Sequence, residues 1–216
     1  MNNKISRNAR ALLAAGILLL AARGASAMDV KEGEQYTLLR PAQPTDVAPG
    51  KVQVVEVFWY ACGHCYAIEP KVEAWLKKGK PAYVEFVRMP ATWNELLKTH
   101  ARVFYTAELL GKLPQLNEEI FREINVKGNR METPEKIEAF FVSHGVPKAD
   151  FQRAFSSFAV ESKIRRAEEM NRRYRITGTP TWVVAGKYTT DVKMAGSEDG
   201  VLQVLNALAA KEKQAH

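Results

Sequence analysis

The only two cysteines of the chain, Cys62 and Cys65, stand at the junction between a predicted strand and a predicted helix. Residues 52–60, before them, are rich in β-branched and aromatic side chains, which favours a strand. Residues 66–76, after them, carry apolar side chains at the spacing of one helix face. A helix N-terminus stabilises a thiolate, and the thiolate is the reactive form of cysteine. The junction therefore predicts a pair of thiols suited to thiol–disulfide exchange.

The strand before the cysteines is apolar on both alternating faces apart from Gln53 and Glu56, which is typical of a central strand covered on both sides. A buried carboxylate is costly unless it has a partner or a task. We therefore hypothesise that Glu56 relays a proton to or from Cys65 through water. The alternative is a glutamate at the strand end that reaches solvent.

The first part of the chain has the pattern of a secretory signal peptide. Basic residues precede an apolar run at residues 11–22, and Ala25-Ser26-Ala27 supplies small side chains at the cleavage position. The run is shorter than the roughly 20 residues of a membrane-spanning helix, and a short membrane anchor is the alternative. We expect cleavage after Ala27 and a periplasmic mature protein, in a compartment where disulfides persist. Much of the formal net charge of +7 lies in this leader, so it gives little reason to expect nucleic acid as a partner.

The cysteine pair is expected to react rather than to hold the fold together. A Cys62–Cys65 disulfide closes too short a loop to restrain the unfolded chain much. A zinc site would need two more ligands, for which His100 and His144 are the candidates, and a covalent haem would need histidine where Tyr66 stands. We therefore expect no metal and no cofactor.

The remaining chain predicts an α/β domain interrupted by helices. Further strands are expected at residues 83–89, 181–184 and 188–190, and Ser197 is expected to cap a last helix. Helical periodicity runs almost throughout residues 94–175. The predicted organisation is a signal peptide at residues 1–27, an α/β domain formed by residues 28–93 and 176–216, and a helical insertion at residues 94–175.

This order of elements resembles the DsbA family of secreted thiol–disulfide oxidoreductases. The most specific parts are Phe-Trp-Tyr-Ala-Cys-Gly-His-Cys-Tyr at residues 58–66 and Gly-Thr-Pro-Thr at residues 178–181. The resemblance covers essentially the whole chain after the leader. It implies a thioredoxin fold, with a helical domain inserted between the second βα half and the strand that follows a cis-proline.

The resemblance also implies roles for the cysteine motif. Cys62 would be the nucleophile, Cys65 its resolving partner, and His64 the residue between them that tunes Cys62. A low pKa of the Cys62 thiol and an oxidising disulfide are part of what the resemblance implies.

Further roles follow from the same resemblance. Thr179-Pro180 would hold a cis peptide bond against the disulfide, and Glu56 would be the buried acid behind the cysteines. Gly63 and Thr179 would contribute to the surface that binds substrate. Family members often carry a lysine near the buried acid on the next strand, and Lys80 is the lysine that stands near that strand here.

The function implied is a periplasmic oxidoreductase that introduces disulfide bonds into exported proteins. Its partners would be unfolded exported proteins with free thiols and a membrane oxidant of the DsbB type, and the protein would be a monomer. The alternatives are a disulfide isomerase or reductase, and a chaperone-like module that binds unfolded chains without catalysis. Isomerases of this compartment usually add an N-terminal dimerisation domain, for which residues 29–50 are too few.

Several other aromatic and basic residues have structural interpretations. Trp182 is expected in the core, whereas Trp59, Tyr60 and Trp93 are compatible with either the core or a substrate surface. The basic residues between positions 163 and 175 alternate with glutamates, which indicates a solvated helix face.

Overall fold

The computed structural model describes residues 28–215, so the predicted signal peptide at residues 1–27 lies outside the described part. The elements in chain order are β1 (Thr37–Leu38), β2 (Val52–Phe58), α1 (Gly63–Lys78), β3 (Val84–Pro90), α2 (Glu95–Leu109), α3 (Leu113–Asn125), α4 (Pro134–Ser143), α5 (Lys148–Phe155), α6 (Phe158–Arg173), β4 (Thr181–Val184), β5 (Tyr188–Thr190), α7 (Val192–Ala195) and α8 (Glu198–Gln214).

The strands form one mixed sheet in the order β1-β5-β4-β2-β3. β2 pairs in parallel with β3 on one side and antiparallel with β4 on the other, so it is a central strand as predicted. Parallel pairing places the ends of β2 and β3 at the same edge of the sheet, where β2 leads into the cysteine motif and α1. This is the thioredoxin fold that the family resemblance implies.

β2 is buried along its whole length because its two faces are covered by different layers. Val54 packs with side chains of α1 and α8 on one face. Val55 and Val57 pack on the other face with Leu97 of α2 and Tyr174 at the end of α6. Because both faces of β2 are buried, the strand carries apolar side chains on both of them.

Helices α2 to α6 lie between β3 and β4 and form a second core. Phe58, the last residue of β2, and Tyr60, two residues after it, enter this core. The ring centroid of Phe58 lies 5.4 Å from that of Phe104 in α2, and the ring centroid of Tyr60 lies 4.8 Å from that of Phe121 in α3. The residues before Cys62 are therefore held by the helical layer as well as by the sheet. The domain boundaries at residues 93/94 and 175/176 stay a prediction.

Two helices begin at residues whose side chains cap them, and Ser197 is the cap that the sequence predicts. Thr133 accepts a hydrogen bond from Lys136 N and Ser197 accepts one from Gly200 N, so both are N-caps. The first strand is short, since only Thr37–Leu38 pairs with β5. Within residues 28–215, no helix combines the length and the apolarity that a membrane span requires.

Candidate active site

The cysteine motif lies in the first turn of α1. Cys62 is the N-cap residue, with an extended backbone (φ −85°, ψ 113°), and its own N–H donates to Trp59 O at 3.0 Å. The following N–H groups have no partner within the helix, because the first turn of a helix leaves its amides free. The sequence therefore places the Cys62 sulfur directly at a helix N-terminus.

Several donors converge on Cys62 and lower the pKa of its thiol from its ordinary value of 9.0 to about 5. The largest cause is the hydrogen bond from the Cys65 thiol, followed by one from the side chain of Thr179 and by the backbone N–H groups of Cys65 and His64. Partial burial opposes these donors by raising the pKa. At neutral pH, Cys62 is therefore mainly a thiolate.

Cys65 has the opposite environment. It lies on the buried face of α1, and desolvation raises the pKa of its thiol far above the ordinary range, with a further increase from the neighbouring Cys62 sulfur. Both cysteines are free thiols in this structure. The pair therefore consists of one accessible thiolate and one buried thiol that donates to it.

The loop before β4 closes over Cys62. The Thr179–Pro180 peptide bond is cis, as the sequence analysis predicts, and Pro180 is buried. The Cys62 Sγ lies 3.3 Å from Thr179 O. A second cis bond, Arg40–Pro41, lies in the loop after β1 and was not predicted.

A cavity of about 370 Å³ opens beside the cysteine motif. His64 lies on its wall with an exposed side chain, and the backbone N–H of His64 is the part that faces Cys62. Gly63 is exposed, and a Cβ at this position would meet open space. The remaining wall residues are Thr177, Gly178, Thr179, Pro180, Thr181, Asp191, Val192, Lys193 and Glu198.

Glu56 is buried in β2 on the side of the sheet that carries α1, and its partner is an arginine. Arg88 lies opposite Glu56 in the parallel register of β2 and β3, with Nε 3.4 Å from Glu56 Oε2. Lys80 is not the partner, because its Nζ donates to Val84 O at 2.7 Å. Burial raises the pKa of Glu56 to about 7, although the charge of Arg88 opposes this increase.

Two further carboxylates, which the sequence analysis missed, share Arg88 with Glu56. Arg88 Nη2 donates to Glu69 Oε1 at 2.7 Å and to Glu73 Oε1 at 3.0 Å. Both glutamates stand on α1 at steps of four residues from Cys65, which places them on the same helix face. This four-residue spacing is the feature of the sequence that could have identified the two glutamates. A cluster of three carboxylates and one guanidinium therefore lies behind the buried cysteine.

The aromatic residues left open by the sequence divide between core and surface. Trp59 is half-buried and its Nε1 donates to His100 Nδ1 at 2.9 Å, whereas Trp93 is exposed. Trp182 is fully buried, as expected, and so is Tyr60. Within the described residues, histidine, cysteine and acidic side chains form no group of three or more that could hold a metal ion.

The geometry supports one type of chemistry. An accessible thiolate at a helix N-terminus attacks disulfides, and its low pKa makes Cys62 a good leaving group when a second thiolate attacks a mixed disulfide that it has formed. The buried thiol needs to give up or accept a proton in each such exchange. Glu56, with a pKa near neutrality, lies close enough for its charge to raise the pKa of Cys65 further.

Comparison with known proteins gives the same assignment. A family profile described as a DSBA-like thioredoxin domain matches residues 83–208. The thiol:disulfide interchange protein DsbA of Pseudomonas syringae pv. tomato is 38% identical over 205 residues, which cover 95% of this chain and 94% of that protein. The DsbA of Azotobacter vinelandii is 39% identical over 194 residues, with 90% of each chain covered.

Solved structures agree with these sequence matches. The crystal structure of Pseudomonas aeruginosa DsbA superposes with a TM-score of 0.80 at 37% identity, covering 85% of this chain and 94% of that one. DsbA of Xylella fastidiosa gives a TM-score of 0.79 at 27% identity, covering 86% of this chain and 98% of that one. The chain therefore belongs to the DsbA family and is a thiol:disulfide oxidoreductase.

Proposed function

We propose that this protein is the periplasmic oxidase that donates its Cys62–Cys65 disulfide to newly exported proteins. The observation that carries the proposal is the difference between the two thiols, with a pKa of about 5 for Cys62 and a strongly raised pKa for Cys65. Stabilising the Cys62 thiolate stabilises the reduced enzyme, and this makes the disulfide of the oxidised enzyme a stronger oxidant. A reductase would require a less stable Cys62 thiolate, so that its disulfide form is favoured over its reduced form.

The transfer proceeds in two exchanges. A substrate thiolate attacks Cys62 Sγ of the oxidised enzyme, so that a substrate–Cys62 disulfide forms and Cys65 leaves. A second substrate thiolate then attacks the substrate sulfur of this mixed disulfide, and the electron pair of the broken bond returns to Cys62 as thiolate. The substrate gains a disulfide, and the enzyme gains two electrons and one proton at Cys65.

Glu56 supplies that proton in the first exchange. Cys65 is a poor leaving group as a thiolate because burial raises the pKa of its thiol. A protonated Glu56 donates to the departing sulfur through water, and it accepts the proton again when the enzyme is reoxidised. His64 tunes Cys62 through its backbone N–H, which faces the Cys62 sulfur from the first turn of α1.

The cavity beside Pro180 and the exposed backbone at Gly63 form the surface for an unfolded substrate chain. Thr179 borders both this cavity and the Cys62 sulfur, so it positions the substrate cysteine. The partners are exported proteins with free thiols and a DsbB-type membrane oxidant that restores the disulfide. The protein acts as a monomer.

Titration of the reduced protein by its ultraviolet thiolate absorbance tests the proposal. We expect one ionisation near pH 5 that is absent from Cys62→Ser. Cys65→Ala is expected to shift this ionisation upward by about one pH unit, because it removes the main hydrogen bond to the thiolate. An ionisation of Cys62 near pH 8 or above would contradict the oxidase assignment and favour a reductase or isomerase.

Glu56→Gln is expected to slow the departure of Cys65 by about tenfold to a hundredfold, at the lower end of general acid–base effects. Rapid mixing of oxidised protein with a dithiol peptide measures this step. In the wild type, the rate per substrate thiolate should fall as the pH rises through about 7, the pKa of Glu56, because the proton donor is lost. This inflection should disappear in Glu56→Gln.

Glu73→Gln is the matched control, since Glu73 also accepts from Arg88 but is only half-buried. Glu73→Gln should keep the rate of Cys65 departure to within a few-fold of the wild type, and the pH profile should keep its inflection. Equal losses in the two variants would mean that the carboxylates act only through Arg88 and that Glu56 is not the relay.

A further inference from the structure

Asn117 connects the helical layer to the carboxylate cluster behind the cysteines. It lies in α3 with a buried side chain. Its Oδ1 accepts a hydrogen bond from Tyr60 Oη at 2.9 Å, and its Nδ2 donates to Glu69 Oε1 at 2.7 Å. The Asn117 side chain therefore bridges Tyr60, which precedes the cysteine motif, and Glu69, which lies on α1 after it.

The two buried carboxylates compete for one cation. Glu69 accepts aligned hydrogen bonds from both Arg88 and Asn117, each of 2.7 Å. Glu56 Oε2 lies 3.4 Å from Arg88 Nε, and within the described residues neither of these two atoms has a partner in hydrogen-bond geometry. Two buried carboxylates beside a single guanidinium favour a state in which one of them is protonated.

Tyr60 fixes the orientation of the Asn117 amide. Burial raises the pKa of Tyr60 well above its usual value, so its hydroxyl keeps its proton and is available to donate to Oδ1. The amide then turns Nδ2 toward Glu69. An N–H donor stabilises an ionised carboxylate over a protonated one, and this donor lowers the pKa of Glu69 relative to what burial alone would give.

We propose that Asn117 is a positioning residue that keeps Glu69 ionised and thereby leaves the proton of the carboxylate pair on Glu56. The inference rests on the proposed relay and deepens it, because a relay requires that the proton sit on the carboxyl group that serves Cys65. The helical layer thus adds to the preference of Arg88 for Glu69 and helps to determine which of the two acids is the proton donor.

Other groups that face the carboxylate pair come from three elements. Arg88 contacts both carboxylates but hydrogen-bonds Glu69, at 2.7 Å, so it acts in the same direction as the Asn117 amide. Glu73 lies at the exposed end of the cluster. These groups are Arg88 of β3, Glu73 and Cys65 of α1, and Tyr60 at the end of β2.

Carboxyl ¹³C NMR titration of the reduced full chain after the leader tests the inference. In the wild type we expect Glu56 to titrate near pH 7 and above Glu69. In Asn117→Leu we expect the pKa of Glu69 to rise and that of Glu56 to fall, each by about one pH unit, the size of one lost hydrogen bond to a charged group. Unchanged pKa values in this variant would overturn the proposal.

Asn125→Leu provides a matched control on the same helix. Asn125 donates to Tyr60 O at 2.8 Å and to Phe121 O at 2.8 Å, so it holds the same tyrosine without contacting a carboxylate. Its replacement should leave both carboxyl pKa values in place. Shifts equal to those of Asn117→Leu would mean that α3 packing, rather than the amide, sets the proton position.

Tyr60→Phe gives a second, milder test if Asn117→Leu does not fold. It removes the hydroxyl that orients the amide, and it should shift both pKa values in the same directions by a smaller amount. An upward shift of the Glu56 pKa would contradict the proposal.

The kinetic readout separates this inference from the relay itself. If both hold, Asn117→Leu moves the inflection of the Cys65 departure step to lower pH by the same shift that NMR measures. If Glu56→Gln leaves that step unchanged, the relay fails, yet the NMR titration still decides whether Asn117 places the proton.

Discussion

Replacement of Cys62 by serine is expected to abolish disulfide transfer, with a rate at least about 10⁴-fold below that of the wild type, as when an enzyme loses its nucleophile. The physical reason is that Cys65 cannot take its place, because it is buried and its thiol stays protonated. A serine hydroxyl at the same helix N-terminus is not ionised near neutral pH and forms no disulfide. Oxidation of a reduced, unfolded substrate with paired cysteines measures the effect.

Cys65→Ser distinguishes the roles of the two cysteines. This variant also has no disulfide to donate, but its Cys62 thiolate remains accessible and attacks a disulfide that the substrate supplies. One substrate sulfur leaves as a thiolate, and the mixed disulfide with Cys62 should persist because no Cys65 thiol follows to resolve it. Electrophoresis without reductant would detect this adduct in Cys65→Ser and none in Cys62→Ser. Stable adducts in Cys62→Ser would show that Cys65 is reachable and would reverse the assignment.

The reduced protein is expected to be more stable than the oxidised one at neutral pH, with a difference that grows as the pH rises from about 5 to about 9. In this range the folded Cys62 is ionised, whereas in the unfolded chain it still binds its proton, at its ordinary pKa of 9.0. The unfolded state therefore holds more protons, so stability rises with pH by at most about 1.4 kcal/mol per unit. Because Cys62 is only half-buried, we expect a total of about 2–3 kcal/mol rather than the full value.

Two other groups lower the stability of the fold as the pH rises. Cys65 keeps its proton in the fold, so its contribution is lost only as the pH rises above 9, where the unfolded thiol ionises. Glu56 has a raised pKa of about 7, so its contribution to stability falls as the pH rises from 4.5 to 7. It is present in both redox forms and largely cancels in their difference.

Urea denaturation of the reduced and oxidised protein at a series of pH values measures this difference. The short disulfide ring adds a contribution that does not depend on pH, so the pH dependence isolates the Cys62 thiolate. A constant gap between pH 5 and pH 9, or a more stable oxidised form at neutral pH, would contradict the proposed mechanism. Cys62→Ser, which cannot form the disulfide, serves as a control for the reduced protein, and its stability should not rise between pH 7 and pH 9.

The nucleophilic part of the site could be predicted because its signals are local. Cys62 and Cys65 stand between a strand pattern and a helix pattern, so their place at a helix N-terminus follows from neighbouring residues alone. The cis peptide bond at Thr179–Pro180 was implied by the resemblance to the DsbA family, through the Gly-Thr-Pro-Thr motif at residues 178–181. The burial of Glu56 followed from the apolar neighbours on both sides of it in the strand.

The charge partners of Glu56 could not be predicted in this way. Arg88 became visible only through the register of β2 with β3, which the sequence does not specify, and the expected lysine pointed to Lys80 instead. Asn117 lies 48 positions from the Glu69 that it contacts. Such pairs depend on how helices and strands pack, and nothing in the local pattern of either residue marks them.

Local patterns of secondary structure and motif spacing place the reactive sulfur at the start of a helix, because they act over short stretches of chain, and the family resemblance implies the fold that carries it. The tertiary structure alone decided how the buried acid is neutralised, because burial, strand register and the docking of α3 bring distant polar groups into hydrogen-bond range. Those contacts set the pKa values on which proton transfer at Cys65 depends.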